Sequence, residues 1–274
     1  MARVVAGDLL LFVSCLILVA AIGFTVADLL FGFLDPDHQN PALGLTEPVW
    51  AGGSWTHPLG TDELGRDTLA RLVQGNRTSL LIAVCAGSLA MVVGTSVGLV
   101  SGYFGGWVDR VLRAAVDVWM SFPGLLLALV ILFAFGKGIT VLILALAATH
   151  WSVFARVMRG GALVTKNYQY IEAAACLGAT HQRILLRHLL PNQLPILVPL
   201  MGLEIATLLL SEGAISFLGF GVTAPQISLG LMLSQGRQYL FLTYWPAAIP
   251  GLLIALNVLL INTVATHLRD RLQR

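Results

Sequence analysis

The sequence predicts an all-α integral membrane protein with six transmembrane helices. Of its 274 residues, 57% are hydrophobic and only 11% are charged, and the mean hydropathy is +0.84. An ordinary soluble domain has about a quarter of its residues charged. The apolar residues also form continuous runs, whereas a lipid-facing strand alternates apolar and polar residues over about 10 positions, so helices are expected rather than a barrel.

Six apolar segments account for the predicted helices. Five contain no Asp, Glu, Lys or Arg and are close to or longer than the roughly 20 residues that cross a bilayer as a helix. They are 9–27, 78–108, 118–136, 138–155 and 238–268. A sixth, about 195–217, carries Glu204 and Glu212 but is otherwise apolar. Because a single Arg precedes the first segment and no clean cleavage site follows it, we expect an uncleaved helix rather than a signal peptide.

Positive charge is distributed unequally over the segments that connect these helices. With both termini in the cytoplasm, eleven of the 16 cations are inside, which obeys the positive-inside rule. The inner cations are Arg3, Arg110, Arg113, Arg156, Arg159, Lys166, Arg183, Arg187, Arg269, Arg271 and Arg274, and the outer ones are Arg66, Arg71, Arg77, Lys137 and Arg237. No basic run with interleaved aromatics occurs, so nucleic acid is not an expected partner. The three cysteines show no C-x-x-C spacing and indicate neither disulfides nor a metal site.

Glycine and proline positions predict the turns. Residues 59–67 are expected to lie outside and to feed a short helix on the membrane surface, with Thr61 or Asp62 as N-cap and Asp67 paired with Arg71 at i, i+4. The glycines of 102–106 predict a tight inner turn. Pro123 and Pro199 are expected to kink the helices that contain them.

A polar, basic inner loop lies between the fourth and fifth apolar segments. Residues 167–177 are good helix formers, and Gly178 supplies the residue that takes a left-handed conformation at a helix end. Thr180 is then expected to cap a second short helix, about 181–190, which Pro191 stops. The prediction is a helix, a glycine turn and a helix.

The residues of this loop resemble the EAA signature of bacterial ABC importer permeases. Glu172-Ala173-Ala174 is followed after three residues by Gly178, and after nine more by His188-Leu189-Leu190-Pro191. His188 followed by Leu-Leu-Pro-Asn is similar to the dipeptide, oligopeptide and nickel permease branch. Residues 59–67, 102–106 and 216–221 resemble the same branch, so the resemblance covers about residues 59–270.

The resemblance implies the type I ABC importer permease fold, with a transmembrane domain at 76–267 after an N-terminal helix and outer segment (1–75), and with a cytoplasmic tail (268–274). The loop at about 160–192 would be the coupling element that sits in a groove of a separate ATPase. The residues that the resemblance assigns to coupling are Glu172, Ala173, Ala174, Gly178, His188, Leu190 and Pro191. Glu172 would make a polar contact with the ATPase, although it also suits the N-terminal half of its own helix.

The same resemblance implies the partners and the place of the chain in the cell. It would be a non-catalytic subunit of the bacterial cytoplasmic membrane, binding no cofactor itself, with ATP and Mg²⁺ held by two ATPase subunits. A second homologous permease and an extracytoplasmic substrate-binding protein would complete the importer. Di- or oligopeptides are the expected solute, with nickel, metal chelates or glutathione as alternatives.

Ionisable residues within the apolar segments leave alternatives open. Glu204 and Glu212 are about 80° apart on one helix and either line the translocation path or bond to a neighbouring helix. Asp117 is expected to be structural, and His150 to be hydrogen-bonded in packing rather than part of a metal relay. Gly94 and Gly98 indicate close helix packing, within the bundle or against a second permease.

Two other classes of protein are alternatives to the importer. An ion-coupled secondary transporter would use Glu204 and Glu212 as coupling groups and would need no EAA loop. An intramembrane enzyme is disfavoured because the sequence shows no H-E-x-x-H motif and no Ser-His arrangement with positioning residues.

Overall fold

The structure is a computed structural model that describes residues 34–272. Eight helices follow one another in this range, along with three short 3-10 turns. The helices are α1 (Thr68–Phe104), α2 (Gly106–Met120), α3 (Gly124–Phe135), α4 (Ile139–Thr165), α5 (Gln169–Cys176), α6 (His181–Phe217), α7 (Leu229–Gly236) and α8 (Trp245–Leu272). The predicted helix at 9–27 lies outside the described residues.

Four of these helices, α1, α4, α6 and α8, are long and apolar enough to cross a membrane. The pair α2 and α3 makes a fifth candidate span if the two are taken together. Residues 34–272 therefore supply four or five spans, and the predicted total of six stays a prediction because 9–27 is not described.

The prediction of one continuous helix over 118–136 is wrong. The helix is interrupted between Met120 and Gly124, and α2 and α3 are inclined at 85° to one another. Pro123 occupies the N-cap position of α3 with φ −58° and ψ 121°, so it starts a new helix instead of bending an existing one. Proline has no N–H to donate and disfavours a helical residue before it, which explains the interruption.

Among residues 34–272 the most extensive helix contact joins α1 and α4, and small residues make it possible. A Cβ added at Gly94 or Gly98 would overlap the carbonyl oxygen of Trp151 or Ala155, and one at Gly102 would lie 2.7 Å from the Cβ of Ala162. The predicted close packing at these glycines is confirmed, and it occurs within the chain. Gly105, with φ +66°, then ends α1 at the predicted turn.

A polar cap precedes α1, made of residues 34–67. Here the predicted short surface helix is wrong, because Asp67 is the N-cap of the long helix α1 and accepts a hydrogen bond from the N–H of Ala70. Arg71 does not pair with Asp67. It forms a buried ion pair with Asp62 and donates to Gln235 Oε1 at 2.9 Å, which ties the cap to α1 and α7.

Candidate functional site

A bent hairpin joins α4 to α6 and contains the residues with the EAA signature. Helix α5 ends at Cys176, and Gly178 follows with φ +83°, the left-handed conformation predicted for it. Thr180 accepts a hydrogen bond from the N–H of Arg183 and caps α6, as predicted. A short helix, a glycine turn and the start of a second helix are thus present in this order.

The hairpin is held to the bundle by a small apolar cluster. Ile171 of α5 and Ile184 and Leu189 of α6 are buried against Leu99 of α1 and Ala162 of α4. Burying an aliphatic side chain of this size contributes about 1.5–3 kcal/mol. The cluster therefore fixes the position of the hairpin relative to α1 and α4, so a force on one is transmitted to the others.

The opposite side of the hairpin is open. Glu172, Ala173 and Gly178 are exposed, and the side chain of Leu177 at the turn is 88% exposed. No atom comes within 4 Å of a Cβ built at Gly178. Small side chains beside one prominent leucine leave a surface to which a partner can approach closely.

Polar contacts set the orientation of both ends of the hairpin. The hydroxyl of Tyr103 at the end of α1 lies 2.8 Å from Nδ1 of His181. The side-chain amide of Asn192 donates to the hydroxyl of Tyr170 at 2.7 Å. The ring of His188, one of the EAA residues, lies beside Tyr170 with 6.4 Å between centroids. His188 therefore packs against α5.

The prediction that Pro191 stops the second helix is wrong. Leu185–Leu189 form a π-helical turn, in which the N–H of Leu190 bonds to the carbonyl of Leu185, and the helix then continues to Phe217. Pro191 lies in the first turn after this wide turn, where a missing N–H costs little. The hairpin is consequently continuous with the spanning helix α6, and Leu190 is half-buried where the two meet.

Glu204 lies inside the subunit and bonds to α4. Its Oε2 is 2.7 Å from Nδ1 of His150, and the Glu204 residue is 9% exposed. His150 is therefore hydrogen-bonded in packing, as expected. No group of three or more His, Cys, Asp or Glu side chains that could hold a metal ion occurs among residues 34–272.

Glu212 is fully buried at the meeting point of three helices. It accepts hydrogen bonds from Ser79 of α1 at 2.8 Å and from Ser216 of α6 at 2.6 Å. Ser79 in turn accepts from the N–H of Leu229 at the start of α7. With no exposed surface, Glu212 has no contact to offer a solute in this conformation, which favours the structural alternative over a role in lining the path.

A second polar connection between helices is half-buried and has no local signal in the sequence. Arg159 of α4 binds Asp109 of α2 through two hydrogen bonds, at 2.5 and 2.7 Å, and Ser101 of α1 donates to the same carboxylate at 2.6 Å. Fork-to-carboxylate pairs of this kind are among the stronger interactions available to a side chain. From the sequence, Arg159 is one of the inner cations with no assigned partner, because a sequence gives no spacing rule for a pair 50 positions apart.

Comparison with known proteins identifies relatives of the chain. A family profile described as "Binding-protein-dependent transport system inner membrane component" matches residues 94–274. The chain is 37% identical to the glutathione transport system permease protein of Pectobacterium atrosepticum, and the aligned region covers 81% of this chain and 73% of that protein. It is 34% identical to the dipeptide transport system permease protein of Haemophilus influenzae, and the aligned region covers 87% of this chain and 81% of that protein.

Solved structures share the fold. A chain of the MetNI methionine ABC transporter in an inward-facing conformation superposes with a TM-score of 0.60 at 24% identity, covering 75% of this chain and 98% of that one. An amino acid ABC transporter with histidines gives 0.56 at 19% identity over 74% and 94% of the two chains. At these identities the agreement concerns the fold alone.

Proposed function

We propose a peptide substrate for this chain, which belongs to the family of binding-protein-dependent transport system inner membrane components and is a permease subunit of an ABC importer. Relatives of at least 34% identity are named as permeases for dipeptides, oligopeptides and glutathione. Glutathione is itself a small peptide, so all three names describe solutes with free carboxylates and peptide bonds. We take di- or oligopeptides as the substrate class and glutathione as the close alternative.

We further propose that the hairpin of α5 and the start of α6 is the element that docks on the ATPase. The observation that carries this role is its two-sidedness, since one face is buried in the bundle and the other presents Glu172, Ala173 and Leu177 to the outside. Family membership implies separate ATPase subunits, and ATP and Mg²⁺ belong to those subunits.

Each EAA residue has a distinct task in this proposal. Glu172 supplies a charged contact, and Ala173 and Ala174 permit close approach of the partner. Gly178 sets the angle of the turn. His188, Leu190 and Pro191 lie where the hairpin runs into the spanning helix, so a displacement of the hairpin is passed along α6.

The proposed assembly contains a second permease chain, two ATPase subunits and an extracytoplasmic binding protein. Both termini would be cytoplasmic, with the hairpin on the same side, and residues 76–267 would form the transmembrane domain. Only half of a pathway is built by one such subunit, which is consistent with the apolar side chains exposed on α3, where Phe133 is 82% exposed.

The test is uptake of labelled solutes by proteoliposomes containing the assembled complex with its binding protein. Dipeptides, a tetrapeptide, glutathione and Ni²⁺ are compared with and without vanadate, which blocks the ATPases. Vanadate-sensitive uptake of peptides supports the proposal. Uptake that resists vanadate and follows an ion gradient instead would support an ion-coupled secondary transporter and contradict it.

A further inference from the structure

A small cavity with charged walls opens between α1, α2 and α4. Its volume is about 290 Å³, close to the lower end of the range for small-molecule sites, about 300–1,000 Å³. Val97, Leu112 and Val116 form an apolar part of its wall. Its charged lining residues are Arg113, Asp117, Arg156 and Arg159.

The charged residues that line this cavity differ in how tightly their ion pairs are formed. Arg159 is committed to Asp109 by two short hydrogen bonds, with the side chains 27% and 18% exposed. Arg113 and Arg156 instead share the single carboxylate of Asp117 at 3.5 and 3.4 Å, and these three side chains are 51–63% exposed. The loosely held triad carries a net charge of +1 and has surface left for a further partner.

Helix α2 contributes Arg113 and Asp117 of the triad, whereas Arg156 belongs to α4. The two α2 residues lie on a different face from the exposed valines of that helix, Val111 and Val118. At about 100° per residue, Arg113 and Asp117 are about 40° apart and lie about 100–160° away from Val111 and Val118. Val111 and Val118 are 46% and 62% exposed, as suits side chains in contact with lipid or an apolar partner. The charged face therefore points away from that apolar surface, as suits the cytoplasmic end of an aqueous path, where the positive-inside rule places Arg113 and Arg156.

We propose that Arg113, Asp117 and Arg156 form a subsite for a zwitterionic peptide on the translocation path. A peptide carboxylate would be held between the two guanidinium groups, and its ammonium group would pair with Asp117. The triad offers plus, minus and plus charges in one cavity, which is complementary to a solute with both charges. The subsite rests on the proposed peptide function, and it replaces Glu204 and Glu212, which are buried, as the polar lining of the path.

The experiment measures selectivity between matched solutes in proteoliposomes of the assembled importer. For each variant, kcat/KM for a dipeptide is divided by kcat/KM for the same dipeptide with an amidated C-terminus. The binding protein is identical in every assay, so its own preference cancels when the ratios are compared. The variants are R113Q and R156Q, with R113K to retain the charge, and R110Q is the matched control because Arg110 is exposed on the same helix but does not line the cavity.

The subsite predicts that R113Q and R156Q reduce the ratio about tenfold, whereas R110Q leaves it unchanged and R113K reduces it less. D117N should instead lower the preference for the dipeptide over its N-acetylated form.

A second measurement avoids any dependence on how well modified peptides bind the extracytoplasmic binding protein. A benzophenone side chain at position 112, in the cavity wall, should cross-link to labelled dipeptide during turnover, and one at position 111 should not.

Three results would overturn the subsite while leaving the peptide function intact. One is an unchanged selectivity ratio in R113Q and R156Q with wild-type uptake of dipeptides. A second is equal cross-linking from positions 111 and 112. A third is loss of bound anionic phospholipid as the one effect of R113Q and R156Q. If the wild-type complex itself fails to transport any dipeptide, the proposed function fails first.

Discussion

Replacing Gly178 with alanine is expected to weaken the coupling of ATP hydrolysis to transport without affecting membrane insertion. Gly178 has φ +83°, and its N–H donates to the carbonyl of Ala175 at 3.0 Å. No atom lies within 4 Å of an added Cβ, so alanine meets no steric obstacle. The whole effect of the substitution therefore comes from the backbone conformation.

The size of that effect follows from the left-handed region itself. An L-residue with a Cβ pays about 1–2 kcal/mol there, which corresponds to a factor of about 5–30 in the population of the native turn. Asparagine tolerates this conformation better and serves as the matched control. Proline is expected to be worse than alanine, because its φ is fixed near −65° and the hydrogen bond to Ala175 is lost.

The assay is the number of peptide molecules transported per ATP hydrolysed, together with the amount of ATPase that copurifies with the permease. We expect the order wild type, G178N, G178A and G178P, from most to least coupled, with Glu172→Lys also impaired. Equal coupling in G178A, G178P and the wild type would refute the assignment of this turn to ATPase docking.

Three further predictions concern the bundle. Gly98→Ala should lower the thermal stability of the purified complex because its Cβ meets the backbone of α4, whereas Gly160→Ala, with open space around it, should not; equal melting temperatures would contradict the packing. Glu212→Gln should retain both stability and transport, whereas Glu212→Leu should destabilise the complex by about 1–3 kcal/mol per serine hydroxyl left unpaired. A transport defect in a fully stable Glu212→Gln variant would instead indicate that Glu212 lines the translocation path. Asp109→Asn should lower the free energy of unfolding by about 1.5–3 kcal/mol, and adding Arg159→Gln should recover part of that loss, because the unpaired charge is then removed. Strictly additive losses in chemical unfolding would argue against the pair.

Local signals in the sequence were sufficient to predict the glycine turn and the helix cap of the hairpin. A glycine that needs a left-handed conformation and a threonine at a helix start act through their own backbone, so Gly178 and Thr180 were placed correctly. The close approach at Gly94 and Gly98 was also predictable, because residues without side chains permit it wherever two helices meet.

The errors arose where distant residues or an unusual helical turn decided the outcome. Pro191 was expected to end a helix, but the π-helical turn before it lets the chain continue. Arg71 was paired with its neighbour Asp67 by spacing, whereas folding brings Asp62 and Gln235 to it. The sequence correctly predicted that His150 is hydrogen-bonded but gave no signal for its partner, because Glu204 lies 54 positions away.

The proposed docking role of the hairpin is tested most directly by cross-linking from its tip. A photoreactive side chain replaces Leu177, the most exposed large hydrophobic residue of the hairpin, in the assembled complex in native membranes. We predict a covalent adduct with an ATPase subunit, and none with the extracytoplasmic binding protein. An adduct with the binding protein, or labelling of position 177 by a reagent confined to the outer side of the membrane, would contradict the account.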